Sequence, residues 1–311
     1  MSCSPNKIFT LVIKDELKKV KEYIENLVTS ILSKHIFKYL LSYAIYAAIK
    51  LNRVKYAEEL QSISEIVDID ISHLLIMQIF YELNSCCTSV VVNSKDGYPY
   101  HLRTMDWEMN ILKSITINLD VYKDKKKIYS ATTWVGYVGI FTAVNSKWSV
   151  SLNYRRTNES SLLMNVYKLI KGYWPNGYLI REVMESNCKL EVAKNIFRNS
   201  SLISPCYFII CGKYINEGYI IRRGANTKCL NDISLKEKGF IIQTNIDDIN
   251  TKEDIMMSKQ RLKLLNENIH EGIEVDDLCH LFNQYPITNY STIYTSLMIP
   301  KLNILQTKIS K

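Results

Sequence analysis

Apolar positions over the first quarter of the chain recur at helical spacing. In "DELKKVKEYIENLVTSIL" (15–32), Leu17, Val20, Tyr23, Ile24, Leu27 and Ile31 share one face, and Asp15 is placed to cap it. "HIFKYLLSYAIYAAIKL", "VKYAEELQSISEI" and "ISHLLIMQIFYEL" continue the pattern, so 15–83 reads as helical; no proline stands between Pro5 and Pro99, and no glycine before Gly97. After Asn84 the texture changes. "CTSVVVN" is a β-branched run, "DGYP" a turn, and "SITINLDVYK" alternates strictly, with Ile115, Ile117, Leu119 and Val121 on one face. "IYSATTW", "YVGIFTAV" and "WSVSLNY" read as further strands, the last two joined by an "NSK" turn. Helices are predicted at 160–171 and 177–198, strands at "CYFIICGK", "GYIIRR" and "GFIIQTN", helices at 255–269 and 274–284, and strands at "STIYTSLMIP" and "LNILQTKI". Hairpin-linked strands with helices gathered between them predict a layered, mostly antiparallel α+β domain, with one clear seam at 84–87.

Composition narrows the class. At 311 residues, 47% hydrophobic and 23% charged, the chain can bury a sizeable core and is not disordered. A net charge of +8 suits anionic surfaces but is mild for a nucleic-acid binder, and no nucleic-acid partner is expected. The densest basic run, "KDKKK" at 123–127, lies between two strands and reads as a solvated hairpin loop. None of the eight cysteines has C-x-x-C spacing, which argues against zinc and thioredoxin-like sites, and they are too few for a disulfide scaffold. Cys206 and Cys211 read as free buried thiols; no metal and no cofactor is expected. "YLLSYAIYAAI" at 39–49 is too short to span a bilayer. The first residues lack a basic stretch followed by an apolar core, so no secretory leader is expected and a cytoplasmic location stays open.

The candidate chemistry sits on the seam. Cys86 and Cys87 are adjacent, in front of a buried-strand pattern. They can be two small hydrophobes entering a core, metal ligands, or a nucleophile with its neighbour. His101 alone does not complete a metal site. Arg103 and Asp106 follow Cys87 by 16 and 19 residues, and a hairpin turning at "DGYP" would lay them beside the cysteines. Being three apart, they face one way only if a twist or bulge intervenes; the bland reading of the pair is an ordinary surface ion pair.

"CTSVVVNSKDGYPYHLRTMDW" resembles the segment that opens the catalytic subunit in the acid ceramidase and N-acylethanolamine-hydrolysing acid amidase family, cysteine N-terminal-nucleophile (Ntn) hydrolases of the choloylglycine hydrolase superfamily. The pattern is C-T-S, a β run, a turn, then R-x-x-D. "YSATTWVGYVGIFTAV" resembles the family's T-x-x-G-Y-V-G strand pair, "WSVSLNYRR" its S-x-x-x-R strand, "QTNIDD" its T-N-Y-D turn, and "YPITNYSTIYTSLMIP" its N-x-T-I-Y-T strand. The helical segment 1–86 resembles the α-subunit that this family cuts away, which favours the lipid-amidase branch over the choloylglycine branch proper.

The resemblance implies an αββα Ntn-hydrolase sandwich, a helical segment 1–86 and a catalytic part 87–311. It makes Cys87 the nucleophile, freed by self-cleavage after Cys86, with the new α-amine serving as its base, while the two fragments stay together as a heterodimer. Arg103 and Asp106 would orient the amine and thiol, Asp106 being nearer the ammonium by charge. Asn245 would offer a side-chain N–H to the oxyanion, and the backbone N–H of Tyr154 the second donor. The family commonly carries Glu where this chain has Tyr154, a change that a backbone donor survives. The family's double-Arg element is replaced by "EDIMMSKQR", in which Arg261 stands as the candidate second arginine. The implied reaction is hydrolysis of a fatty-acyl amide of the N-acylethanolamine type through an acyl-enzyme, with peripheral membrane contact and a lysosomal setting. The alternatives are a ceramidase or a bile-salt or penicillin-type amidase on the same machinery, or a non-catalytic lipid-binding relative.

Overall fold

The computed structural model describes residues 21, 22 and 25, and 35–310 without 158–160, 226–228 and 252–253. Most of the helix expected from Asp15, and Cys3, lie outside the described residues. The helical segment continues as α1 (His35–Lys50), α2 (Ala57–Val67) and α3 (Ile71–Asn84). Asp70 caps α3 by accepting from the Ser72 backbone N–H at 2.7 Å. α3 is apolar nearly all round, and Leu74, Leu75, Ile76, Met77 and Ile79 are buried, as befits a helix inside a core.

One residue past α3 the chain enters β1 (Cys86–Asn93), buried at every position. It runs at the heart of a five-stranded sheet of order β10-β1-β2-β11-β12, with β2 at Pro99–Asp106, β10 at Phe240–Gln243, β11 at Thr292–Ile299 and β12 at Ile304–Ile309. A seven-stranded sheet keeps sequence order: β3 (Thr116–Lys123), β4 (Lys126–Trp134), β5 (Thr142–Val144), β6 (Trp148–Tyr154), β7 (Cys206–Gly212), β8 (Gly218–Arg223) and β9 (Cys229–Ser234). Every named pairing is antiparallel.

Three apolar clusters define the layers. α4 (Leu162–Ile170), α5 (Asn176–Glu185) and α6 (Leu190–Asn199) join α1–α3 against the seven-stranded sheet, where Val166, Ile180 and Phe197 share a core with Trp148 and Phe208. The sheets meet through Val91, Tyr207, Ile209, Ile220 and Ile241. α7 (Ser258–Asn268) and α8 (Val275–Phe282) cover the five-stranded sheet, with Leu265 and Phe282 packed among Val90, Leu102 and Leu297. The result is the αββα sandwich that the resemblance implies.

The inter-sheet layer also carries a polar seam. His101 lies between the hydroxyls of Ser149 and Ser151, each 2.9 Å from a ring nitrogen. Ser89 Oγ meets Ser151 Oγ at 2.9 Å and donates to Asn153 Oδ1 at 2.8 Å. Asn153 Nδ2 in turn donates to the Gln243 carbonyl at 2.8 Å. Every link is between buried groups, so the seam fixes β1, β2, β6 and the end of β10 relative to one another.

Three expectations need correction. "YVGIFTAV" forms a strand only at Thr142–Val144; 135–141 is a loop, entered through Gly136 at φ 83. The helix expected over 177–198 is two, broken near Asn187 at φ 49, a left-handed conformation that asparagine tolerates. The helix expected at 255–269 begins as a 3-10 turn, Ile255–Met257, with Met256 and Met257 both left-handed (φ 47 and 57) before α7 starts. β9 was not anticipated, since "CLNDIS" alternates weakly. The "KDKKK" hairpin holds: Asp124 and Lys125 form its tip, both at positive φ. Among the described residues no helix is long and apolar enough to cross a membrane.

Candidate active site

The geometry starts from register. β1 and β2 pair Cys86 with Asp106, Cys87 with Met105 and Ser89 with Arg103. Cross-strand partners share a face, so Cys87, Met105 and Arg103 lie on one side of the sheet and Cys86 and Asp106 on the other. A bulge does intervene, on β11 between Thr292 and Tyr294, opposite Asp106 and Met105. It does not bring Arg103 and Asp106 to one face. Instead they approach the Cys87 position from opposite sides.

On the inner side, Arg103 Nη2 lies 2.8 Å from Cys87 Sγ. The guanidinium is fully buried and held by Thr142 Oγ1 at 2.6 Å, Tyr294 Oη at 2.9 Å and the Leu152 carbonyl at 3.3 Å. Thr142 and Tyr294 meet each other at 2.9 Å, closing a triangle around Nη1. Met105 Sδ touches both Cys87 Sγ (3.6 Å) and Arg103 Nη2 (3.5 Å). Burial pushes the Cys87 thiol above its ordinary value, and the charge of Arg103 pulls against that rise.

The backbone of Cys87 is fixed separately. Its N–H donates to Asn245 Oδ1 at 2.8 Å, and Arg261 Nη1 donates to its carbonyl at 2.8 Å and to Thr88 Oγ1 at 2.7 Å. Asn245 Oδ1 also receives Arg261 Nη2 at 3.2 Å, while Asn245 Nδ2 donates to the Tyr154 carbonyl at 2.9 Å. Two donors at the oxygen and an acceptor at the nitrogen set the amide's orientation. Of the two Nδ2 hydrogens, one is engaged by Tyr154.

On the outer side, Asp106 Oδ1 accepts from Thr292 Oγ1 at 2.7 Å, and Oδ2 lies 3.5 Å from Arg261 Nη1 in an ion pair. Burial outweighs that pairing and pushes the Asp106 carboxyl up to about 6. The Cys86 thiol is pushed up to about 12, again by burial.

A cleft of about 600 Å³ opens beside these groups. Cys86 and Asp106 line its floor; Trp107, Tyr154, Ile255 and Met256 give it apolar walls, and Glu108 and Arg156 give it a polar rim. Cys87 itself is fully buried. Thus Cys87, Arg103, Asn245, Arg261, Asp106 and Tyr154, all singled out in the sequence, converge on one point. Thr88, Met105, Thr142, Tyr294 and Thr292 were not singled out. Thr142, Tyr294 and Thr292 come from strands distant in sequence, Tyr294 lying 191 residues from Arg103, and a lone hydroxyl residue has no spacing signal. The seven described cysteines are free thiols.

A thiol thus lies against a buried guanidinium at the start of an inner strand of the αββα sandwich. A family model described as linear amide C–N hydrolases, choloylglycine hydrolase family, matches residues 87–222, beginning at Cys87. The acid ceramidase of Bos taurus is 30% identical over 268 residues, covering 78% of this chain and 67% of that protein. An uncharacterized protein of Acanthamoeba polyphaga mimivirus is 29% identical and covers 93% of this chain and 89% of its own. Among solved structures, a Caenorhabditis elegans N-acylethanolamine-hydrolyzing acid amidase ortholog superposes with a TM-score of 0.62 at 28% identity, covering 69% of this chain and 93% of that one. The protein is a hydrolase of the linear amide C–N class. It belongs to the family of acid ceramidase and N-acylethanolamine-hydrolysing acid amidase.

Proposed function

We propose that the chain is a precursor that cuts itself between Cys86 and Cys87 and then hydrolyses fatty-acyl amides with Cys87 as N-terminal nucleophile. The observation that carries this reading is that the two reactive atoms of one residue have separate, fixed partners. Cys87 Sγ has Arg103 at 2.8 Å, and Cys87 N has Asn245 Oδ1 at 2.8 Å. In the cut, Sγ attacks the Cys86 carbonyl carbon, the C–N bond breaks, the nitrogen takes up a proton, and water hydrolyses the thioester. The freed amine has an ordinary pKa near 8 and can then serve as base for its own thiol. Asn245 Oδ1 stays as its acceptor, and Asp106, lining the cleft beside the cut, supplies the countercharge. The second Nδ2 hydrogen of Asn245 and the backbone N–H of Tyr154 are the donors for the tetrahedral oxyanion. Arg261 keeps the Cys87 carbonyl and the Asn245 amide in register.

The substrate is an amide with one long acyl chain and a small head, of the N-acylethanolamine type. Each buried methylene contributes about 0.8 kcal/mol, so Trp107, Tyr154, Ile255 and Met256 can hold a chain with few polar contacts. A cleft of about 600 Å³ is the size of a site for one modest ligand. A second reading, ceramide hydrolysis, is favoured by the acid ceramidase relatives such as those of Bos taurus and Homo sapiens. The apolar side chains exposed on neighbouring α1 and α4, including Tyr43, Leu163, Met164 and Tyr167, suit docking on a lipid surface, and the basic charge would aid it. Residues 1–86 stay bound after the cut as the smaller subunit of a heterodimer. Rates on palmitoylethanolamide, a short-chain ceramide, a glycine-conjugated bile salt and a phenoxyacetyl amide test the substrate class. The fastest turnover is expected on palmitoylethanolamide. A dominant rate on ceramide moves the protein to the second reading, and turnover only of the last two removes the lipid-amidase reading.

A further inference from the structure

Gln78 is fully buried on α3, among Leu74, Leu75, Met77 and Ile79. A primary amide in such surroundings is costly unless its polar atoms are paired. Here they are: Nε2 donates to the Gly136 carbonyl at 2.9 Å, and Oε1 accepts from the Val138 N–H at 2.8 Å and from Tyr178 Oη at 3.3 Å. Gly136 C=O and Val138 N–H flank residue 137, as the acceptor and donor that one residue of a parallel neighbouring strand would engage. The Gln78 side chain thus takes the place of a strand partner. It pairs one acceptor and one donor of loop 135–141 outside the ladder.

The loop leads straight to the nucleophile. Its Ile140 N–H donates to the Gly177 carbonyl at 3.0 Å, and a Cβ at Gly139 would stand 2.6 Å from Tyr137 Oη, so the loop is packed without slack. Phe141 O receives the Leu152 N–H at 3.0 Å, and Thr142 Oγ1 holds Arg103 at 2.6 Å. Arg103 in turn lies on Cys87 Sγ. Arg181, gripped by Glu59 of α2, adds Nη1 to the Val138 carbonyl at 3.1 Å, a second tie from the same helical segment to the same loop.

We propose that Gln78 is a positioning residue for Cys87, acting through loop 135–141 and Arg103 and supplied by the segment on the far side of the cut. The proposal rests on the self-cleavage reading above and gives the released segment a standing task in the mature enzyme.

The test compares wild type with Gln78→Leu for self-cleavage, turnover of palmitoylethanolamide, melting temperature, and the pH profile of Cys87 alkylation by iodoacetamide. Loss of the amide should lower kcat, and the rate of self-cleavage, by about 10- to 100-fold with KM within about twofold, as for small misplacements of a reacting group. The alkylation profile should move to higher pH as Arg103 loosens, a change that a merely structural role would not produce. Tyr56→Phe, which removes the segment's bond to Glu182 without touching the loop, should leave kcat and profile unchanged. Should Gln78→Leu not fold, Gln78→Glu carries the test. Its protonated carboxyl can make both loop bonds, facing Tyr178 as its titratable neighbour, with Arg181 on the Val138 carbonyl beyond. Alkylation should then match wild type at acid pH and fall away once that carboxyl ionises. Unchanged kcat and unchanged alkylation in Gln78→Leu, or a Gln78→Glu profile parallel to wild type at every pH, overturns the proposal. If wild type neither cuts nor hydrolyses amide, the self-cleavage reading fails instead, and the alkylation comparison still decides on Gln78.

Discussion

In the proposed reaction one side chain, Asn245, would serve two stages. Its Oδ1 holds the Cys87 nitrogen and its Nδ2 faces the Tyr154 carbonyl, so it is fixed before any substrate arrives. Asn245→Ala should lower kcat by about 10²- to 10³-fold with little change in KM, because an oxyanion bond strengthens only at the tetrahedral stage. It should also slow the cut, which a donor acting on substrate alone would not do. Steady-state kinetics on matured protein, with cleavage followed by gel, checks both; a loss mainly in KM makes Asn245 a binding residue. At this scale Cys87, Arg103, Asp106 and Asn245 were legible in the sequence because short motifs carry them. Tyr294 and Thr142, which cradle Arg103, were not, since nothing local marks one hydroxyl among many. Asp106 was legible as a residue, and its spacing of three from Arg103 already set the two on opposite faces unless a bulge intervened; the register adds that the bulge falls on β11 and leaves that alternation intact.

At the scale of elements, strands were read well wherever alternation or a β-branched run was long, as in β1, β3 and β6. The failure at 137–141 is instructive: an apolar run can have the letters of a strand without its ladder. The sheet interface also sets the response to acid. His101, buried between Ser149 and Ser151, is held neutral, its pKa lowered to about 3 by burial and by Arg103. Its contribution to stability is present above about 6.5 and is lost progressively as pH falls toward 3. Asp106, raised from 3.8 to about 6, contributes in the opposite sense, with stability present below 3.8 and lost as pH rises through about 6. Each slope is about 1.4 kcal/mol per pH unit, so between about pH 4 and 6 they offset one another. Removing the carboxyl unmasks the histidine. In urea melts on a Cys87→Ala background, Asp106→Asn should lose roughly 3 kcal/mol relative to its parent between pH 6 and pH 4. Parallel pH dependences would mean that Asp106 is ionised throughout that range.

At the scale of the whole molecule, the proposed cut falls at the junction of the helical segment and the sandwich. The helical segment and the sandwich share a single core, from Leu74 and Ile79 to Trp148 and Phe208, with Gln78 and the Arg181–Glu59 pair as polar ties. The proposed cut between Cys86 and Cys87 would therefore sever the chain without separating its layers. The seam at 84–87 could be read from the change of periodicity, and the αββα layer order from the family resemblance. That the two sides interlock could not, because it depends on tertiary contacts far apart in sequence. The most direct test of the account is the intact mass and N-terminal sequence of purified wild type beside Cys87→Ala and Cys86→Ala. The account predicts a wild type of two fragments, the smaller about 10 kDa from its 86-residue share of 36.2 kDa, and the larger beginning Cys-Thr-Ser-Val. It predicts that Cys87→Ala stays a single inert chain, while Cys86→Ala still matures. An active wild type that remains uncut, or a larger fragment that begins at Cys86, would contradict it.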